Sequence, residues 1–211
     1  MTISEGIKQF KGCPAEIPDT SRNDLGEFFK EMGFTVGAEI GVYKGDFTTT
    51  FLDAGLTVYA VDPWMPYKDF DIESENRKDR QDFLFRHTQK KLAKYGDKVK
   101  FIRKTSMDAL DDIPDGSLDF VYIDGNHKFK YVAEDLVEWS KKVKKGGVIC
   151  GHDYCHPSRL KKDRWDDYQV IFVIDAFVKA YRIEDFWVLG RKRELPGEKR
   201  DRFRSWMWFN K

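Results

Sequence analysis

The sequence predicts an α/β protein: a mainly parallel sheet of seven strands, helices on both faces, and a C-terminal antiparallel hairpin. Three observations predict it. Short apolar runs alternate along the chain with segments of helical periodicity, which imposes crossovers and parallel pairing. The 211 residues are 41% hydrophobic and 35% charged, enough for a substantial core and too apolar for disorder. The strands end, one after another, on acidic or small residues. In an open parallel sheet those ends share one edge, where ligands bind.

The elements follow in order. Residues 1–20 are expected to be irregular, with Pro14 and Pro18 as breakers, ahead of a single domain over 21–211. Ser21 and Asp24 open a helix in the manner of a capping box. Leu25, Phe28, Phe29 and Met32 recur at helical spacing, and Gly33 stands where a C-terminal cap belongs. Residues 36–42 read as a strand, 46–53 as a helix, and 57–61 as a strand ending on Asp62. Residues 80–95 form a helix closed by Gly96, 99–103 a strand, and 107–110 a short helix. Residues 118–123 make a strand ending on Asp124. Residues 128–143 make a helix with Phe129, Val132, Leu136, Trp139 and Val143 on one stripe. A strand over 147–152 ends at His152 and Asp153. Residues 167–181 are apolar almost all round, so that helix is expected to be well buried. Two late strands, 186–189 and 203–209, flank Pro196-Gly197 and complete the hairpin.

Charge and cysteine usage narrow the function. Lys and Arg number 37 against 36 Asp and Glu, a net charge of +1. A protein built to grip nucleic acid or an anionic membrane carries a basic excess, so neither is the expected partner. No stretch of about 18 apolar residues is present to span a bilayer. Cys13, Cys150 and Cys155 cannot all pair with one another, and no apolar leader opens the chain. Both point to a reducing cytoplasm.

The first strand-to-helix turn reads Ala38-Glu39-Ile40-Gly41-Val42-Tyr43-Lys44-Gly45-Asp46. Gly41 and Gly45 let backbone approach a ligand without an intervening Cβ. Tyr43 and Asp46 break the dinucleotide glycine pattern, and no Gly-Lys-Ser/Thr follows for a phosphate loop. A zwitterion fits: its carboxylate on free amides, its ammonium facing Glu39. A tight turn with a capping Asp fits as well. Asp62 has the spacing of an acid that clamps ribose hydroxyls, and also that of a turn residue before Pro63.

Four ordered motifs carry a resemblance: Ala38 to Gly41, Val61-Asp62-Pro63-Trp64, Phe120 to His127, and Lys145-Gly146-Gly147-Val148-Ile149. Over about residues 22–190 the chain resembles the class I S-adenosylmethionine-dependent methyltransferases, with their Rossmann-like sheet. It is most similar to the branch acting on oxygen of small molecules or sugars. The resemblance implies that Glu39, Gly41 and Gly45 hold the methionine end of the cofactor. It also implies that Asp62 holds the ribose, that Ser106 and Met107 lie by the adenine, and that Asp124 lies near the reacting methyl.

Methyl transfer to a hydroxyl needs a base, or a metal that lowers the hydroxyl pKa. Asp124, His127 and His152 are the candidate catalytic residues. Asp124 and Asp153 would share Mg²⁺ or another divalent cation, with Asn126 as a further oxygen ligand. His152 stands where the resembling enzymes place a second carboxylate. His127 and His152 also read as capping or core histidines. Cys150, His152, Cys155 and His156 lack standard zinc spacing, and Cys150 reads as a buried small hydrophobe. Residues 63–79, with Trp64, Met65, Tyr67 and Phe70, read as a lid or substrate wall, or as a surface excursion with aromatic anchors. Residues 154–165 carry Arg159, Lys161, Lys162 and Arg164, offset by neighbouring acids.

The expected function is therefore O-methylation of a small molecule or sugar, in a chain with room for homo-oligomerisation. A nucleic-acid methyltransferase is the first rival, weakened because Asp124-Gly125-Asn126-His127 lacks an Asn/Asp-Pro-Pro-aromatic stretch. A cofactor-binding module without catalysis is the second.

Overall fold

A computed structural model describes residues 1–68, 76–159, 167–193 and 195–211, without the side chain of residue 159. Phe70 of the expected lid, and residues 160–166 of the basic segment, lie outside the described residues.

Eight strands form one sheet: β1 (Ala15–Ile17), β2 (Val36–Ile40), β3 (Thr57–Val61), β4 (Val99–Ile102), β5 (Leu118–Ile123), β6 (Val143–Tyr154), β7 (Trp187–Leu189) and β8 (Arg204–Phe209). Their order is β1-β7-β8-β6-β5-β2-β3-β4. Only β8 runs antiparallel to its neighbours, β6 and β7. The α/β class, the parallel core and the hairpin are as expected. The strand count is eight rather than seven. The extra strand, β1, pairs parallel with β7 and places Ile17 beside Leu189.

Residues 1–20 are thus not irregular. They hold helix α1 (Ile3–Gln9), opened by a complete Thr2–Glu5 capping box, and then β1. A strand of three residues between two prolines leaves no periodicity to read.

The other helices are α2 (Leu25–Glu31), α3 (Thr48–Asp53), α4 (Lys78–Leu92), α5 (Phe129–Lys142) and α6 (Val170–Ala180). The short helix expected at 107–110 is a 3₁₀ turn at Leu110–Asp112. Helix α6 is less buried than its composition suggests. Val170, Val173, Ile174 and Val178 face the core, while Phe172 is 48% exposed. Among the described residues, no helix is long and apolar enough to cross a membrane.

Two apolar clusters sandwich the sheet. In β5 all six residues are buried. Alternate side chains serve opposite faces, as a strand covered on both sides requires. Phe120 and Tyr122 join Phe29 and Phe51, with the Phe29 and Phe120 rings stacked 4.3 Å apart. Val121 and Ile123 join Leu136, Trp139, Trp206 and Trp208 on the other face. At the amino edge Asp119 accepts hydrogen bonds from the Thr35 and Val36 amides, at 2.6 and 2.9 Å. These contacts fix β2 beside β5, so the carboxyl ends of both strands open onto one crevice.

Candidate functional site

The crevice is built on the turn after β2. Gly41 has φ +90°, and a Cβ there would meet the Asp124 carbonyl oxygen at 2.2 Å. Only glycine lets the β2 and β5 ends approach this closely. Gly45 has φ +68° and faces the other way, where a Cβ would lie 2.9 Å from Thr88 of α4. Tyr43 between them is also left-handed, at φ 53°. Its carbonyl accepts from Trp64 Nε1 and Thr88 Oγ1, both at 2.9 Å. The turn is therefore pinned, and its amides point outward.

Asp62 receives them. Its Oδ2 accepts from the Val42 and Tyr43 amides at 3.0 and 2.9 Å, and its Oδ1 from the Trp64 amide at 2.8 Å. Burial pushes its carboxyl above the ordinary range against the pull of those amides. A carboxylate has about four acceptor directions, so about one remains for a ligand hydroxyl. Glu39 is 2% exposed and takes the Thr48 hydroxyl. Burial pushes it to about 8, with Asp124 and Asp62 adding to the rise.

A cavity of about 440 Å³ opens over these strand ends. Gly41, Tyr43, Asp62, Ser106, Asp124 and His127 line it. Glu39, Gly45 and Met107 do not: Glu39 is sealed behind the turn, Gly45 packs on α4, and Met107 packs against the Trp139 face of the core. Pro63 and Tyr67, from the excursion after β3, also form part of the wall.

Beside the cavity lies the acidic and histidine cluster. His127 Nε2 donates to Asp153 Oδ2 at 2.8 Å and stands 3.9 Å from Asp124 Oδ1. His152 Nδ1 is 3.5 Å from Asp153 Oδ2 and 3.8 Å from Asp124 Oδ1. Burial raises Asp153, but His127 and His152 outweigh it and hold the carboxyl far below the usual range. Burial lowers His152, yet Asp124 and Asp153 leave it above its ordinary value. Asp153 reaches the cluster from an irregular stretch of β6, with left-handed backbone at φ 61°. His127 lines the large cavity; His152 and Asp153 line only a small void behind it. Cys150 is buried, with its thiol on the Val121 carbonyl, apart from this group.

Four contributors were not legible as site residues. Arg22 Nη1 reaches Asp124 Oδ2 at 3.5 Å from the segment before α2. Tyr131 and Asp135 line the cavity from one face of α5, and Tyr168 stacks on His127 at 4.7 Å. Asp135 did leave a signal, since it interrupts the Val132, Leu136, Trp139 stripe with a charge. Arg22 left none, because nothing in the sequence says which strand end it reaches.

Residues 38–154, over half the chain, match the protein family described as "Methyltransferase domain". Over 54 residues the chain is 39% identical to the uncharacterized protein y4gI of Sinorhizobium fredii, a match covering 26% of this chain. The match spans only 6% of that curated relative's length. Solved methyltransferase structures share the fold, among them the following three. The O-methyltransferase from Bacillus cereus, in complex with SAH, is 16% identical, with a TM-score of 0.59 over 88% of this chain and 79% of that one. The O-methyltransferase TomG from Streptomyces achromogenes, in complex with SAM, is 12% identical, with a TM-score of 0.60 over 90% and 79%. The SAH-bound methyltransferase PaMTH1 of Podospora anserina is 15% identical, with a TM-score of 0.57 over 90% and 78%.

Proposed function

We propose, for a chain that belongs to the methyltransferase domain family, that it transfers a methyl group from S-adenosylmethionine to an oxygen of a small molecule. One observation carries this reading. A single cavity runs from Gly41 and Asp62 to the Asp124–His127 cluster, so a donor and a base line one chamber. Its volume, about 440 Å³, lies in the range of small-molecule sites.

The cofactor supplies an electrophilic methyl on a sulfonium; the protein supplies position and proton transfer. Gly41 lets the β2 and β5 ends close on each other to form the cavity floor. Asp62 holds the turn and offers its remaining acceptor direction to a ribose hydroxyl. His127 is the base. Its Nε2 lies 2.8 Å from Asp153 Oδ2, a carboxylate that orients the ring and stabilises the imidazolium formed when the base takes a proton. Asp153 orients that ring, and Tyr168 stacked on it limits rotation.

A divalent cation suits the residues behind His127. Asp124, His152 and Asp153 each offer one ligand atom, all within 4.8 Å of one another. His152 turns its Nδ1 toward both carboxylates, 3.5 Å from Asp153 Oδ2 and 3.8 Å from Asp124 Oδ1. Two carboxylates and an imidazole make a donor set for such an ion. Bound there, it would lower the pKa of an acceptor hydroxyl.

Calorimetry with S-adenosylmethionine and S-adenosylhomocysteine tests the reading, in EDTA and in Mg²⁺ or Mn²⁺. Wild type should bind in the micromolar range and Asp62→Ala at least about tenfold more weakly, the loss of one hydrogen bond to a charged group. Folded wild-type protein that takes up neither compound would sink it.

A further inference from the structure

We propose that Asp135 reads the exocyclic amino group of the cofactor's adenine and so selects a 6-aminopurine over a 6-oxopurine. The assignment rests on the reading of the cavity as the cofactor site. Asp135 stands mid-way along α5 and is only 3% exposed, yet it lines the cavity. Its Oδ1 is buried and has no hydrogen-bond partner. Ser106, another lining residue, hydrogen-bonds the carboxyl. Buried carboxyl oxygens are almost always paired, and an unmet one destabilises the fold. As a carboxylate, the unpartnered oxygen accepts, so the group that meets it in that form is a donor.

Two other buried side-chain atoms share this condition, Trp139 Nε1 and His152 Nε2. Neither residue lines the large cavity.

The order of the strands places the adenine. The reacting end belongs by Asp124 after β5, and the ribose by Asp62 after β3. The next strand outward is β4, and the wall beyond its end is Thr105 and Ser106. Asp135 meets the cavity there, and Tyr131, one turn earlier on α5, adds an aromatic face for the base. Burial pushes Asp135 to about 7, in keeping with a carboxyl that lacks a bound donor.

The test compares S-adenosylhomocysteine with its inosine counterpart, in which a 6-oxo group replaces the amine. Both are titrated calorimetrically into wild type and Asp135→Asn. Wild type should prefer the amino compound by roughly 10- to 100-fold, the effect of one buried hydrogen bond to a carboxylate. The asparagine amide both donates and accepts, so the preference should shrink to within about threefold. A purely structural role for Asp135 would leave the ratio unchanged. Asp135→Ser carries the same comparison should the asparagine variant not fold. Equal binding of the two compounds by wild type, or a preference undiminished in the variant, overturns the assignment. Binding of neither compound overturns the cofactor reading itself, and with it this one.

Discussion

His127 sits between two neighbours that together fix its ring. Asp153 holds one ring nitrogen at 2.8 Å, and Tyr168 covers the ring face. Replacing His127 by Ala should lower turnover by roughly 10²- to 10⁴-fold, the usual contribution of a positioned base. Cofactor affinity should change little, since the cavity wall at Gly41 and Asp62 is untouched. Equal loss in binding and turnover would instead make His127 a structural group. At this scale the sequence is partly legible. Asp62, Asp124 and the histidines end strands, so their shared edge follows from periodicity alone. Arg22 and Asp135 reach the same space across the fold. Glu39 was legible as a residue but not in its position, because only packing reveals that Thr48 and the turn enclose it.

Among the elements, β2 and β5 have a division of labour between their two ends. The amino ends are fastened by Asp119, which also pairs with Lys144 of β6. The carboxyl ends carry the site. Asp119→Ala strands the Thr35 and Val36 amides, so it should cost about 2 kcal/mol of stability. Denaturant midpoints should fall while cofactor affinity holds, because the fastening and the cavity lie at opposite edges. A loss of affinity at unchanged stability would contradict that separation. Long, periodic elements such as α5 and β5 were readable from sequence. Strand β1 was not, being three residues long, nor was the irregularity in β6 that turns Asp153 inward. Both depend on what a neighbouring strand offers, which no local pattern records.

For the whole molecule, buried acids set the response to pH. Glu39 is raised to about 8 and Asp135 to about 7, both chiefly by burial. The native state therefore keeps protons that the unfolded chain releases near pH 4. Stability is full below that range and falls as pH rises through the two folded values. His152, also raised, adds a loss in the same direction above its ordinary pKa. The ligand-free protein should be more stable at pH 5 than at pH 8.5, by on the order of a few kcal/mol, and should melt at a correspondingly higher temperature. Asp135→Asn should flatten part of that slope. A melting temperature that rises across this window would refute the account. The pairing of β1 with β7 also has a temporal side. After Ala15 a ribosome adds 172 residues to reach Trp187. At typical synthesis rates that gap lasts roughly 10 to 30 s. Throughout it, β1 lacks β7, the strand it pairs with, and Ile17, fully enclosed in the finished fold, lacks Leu189 beside it. The earlier strand is seated only after the later one is made, so the nascent chain must shelter its side chains until β7 emerges.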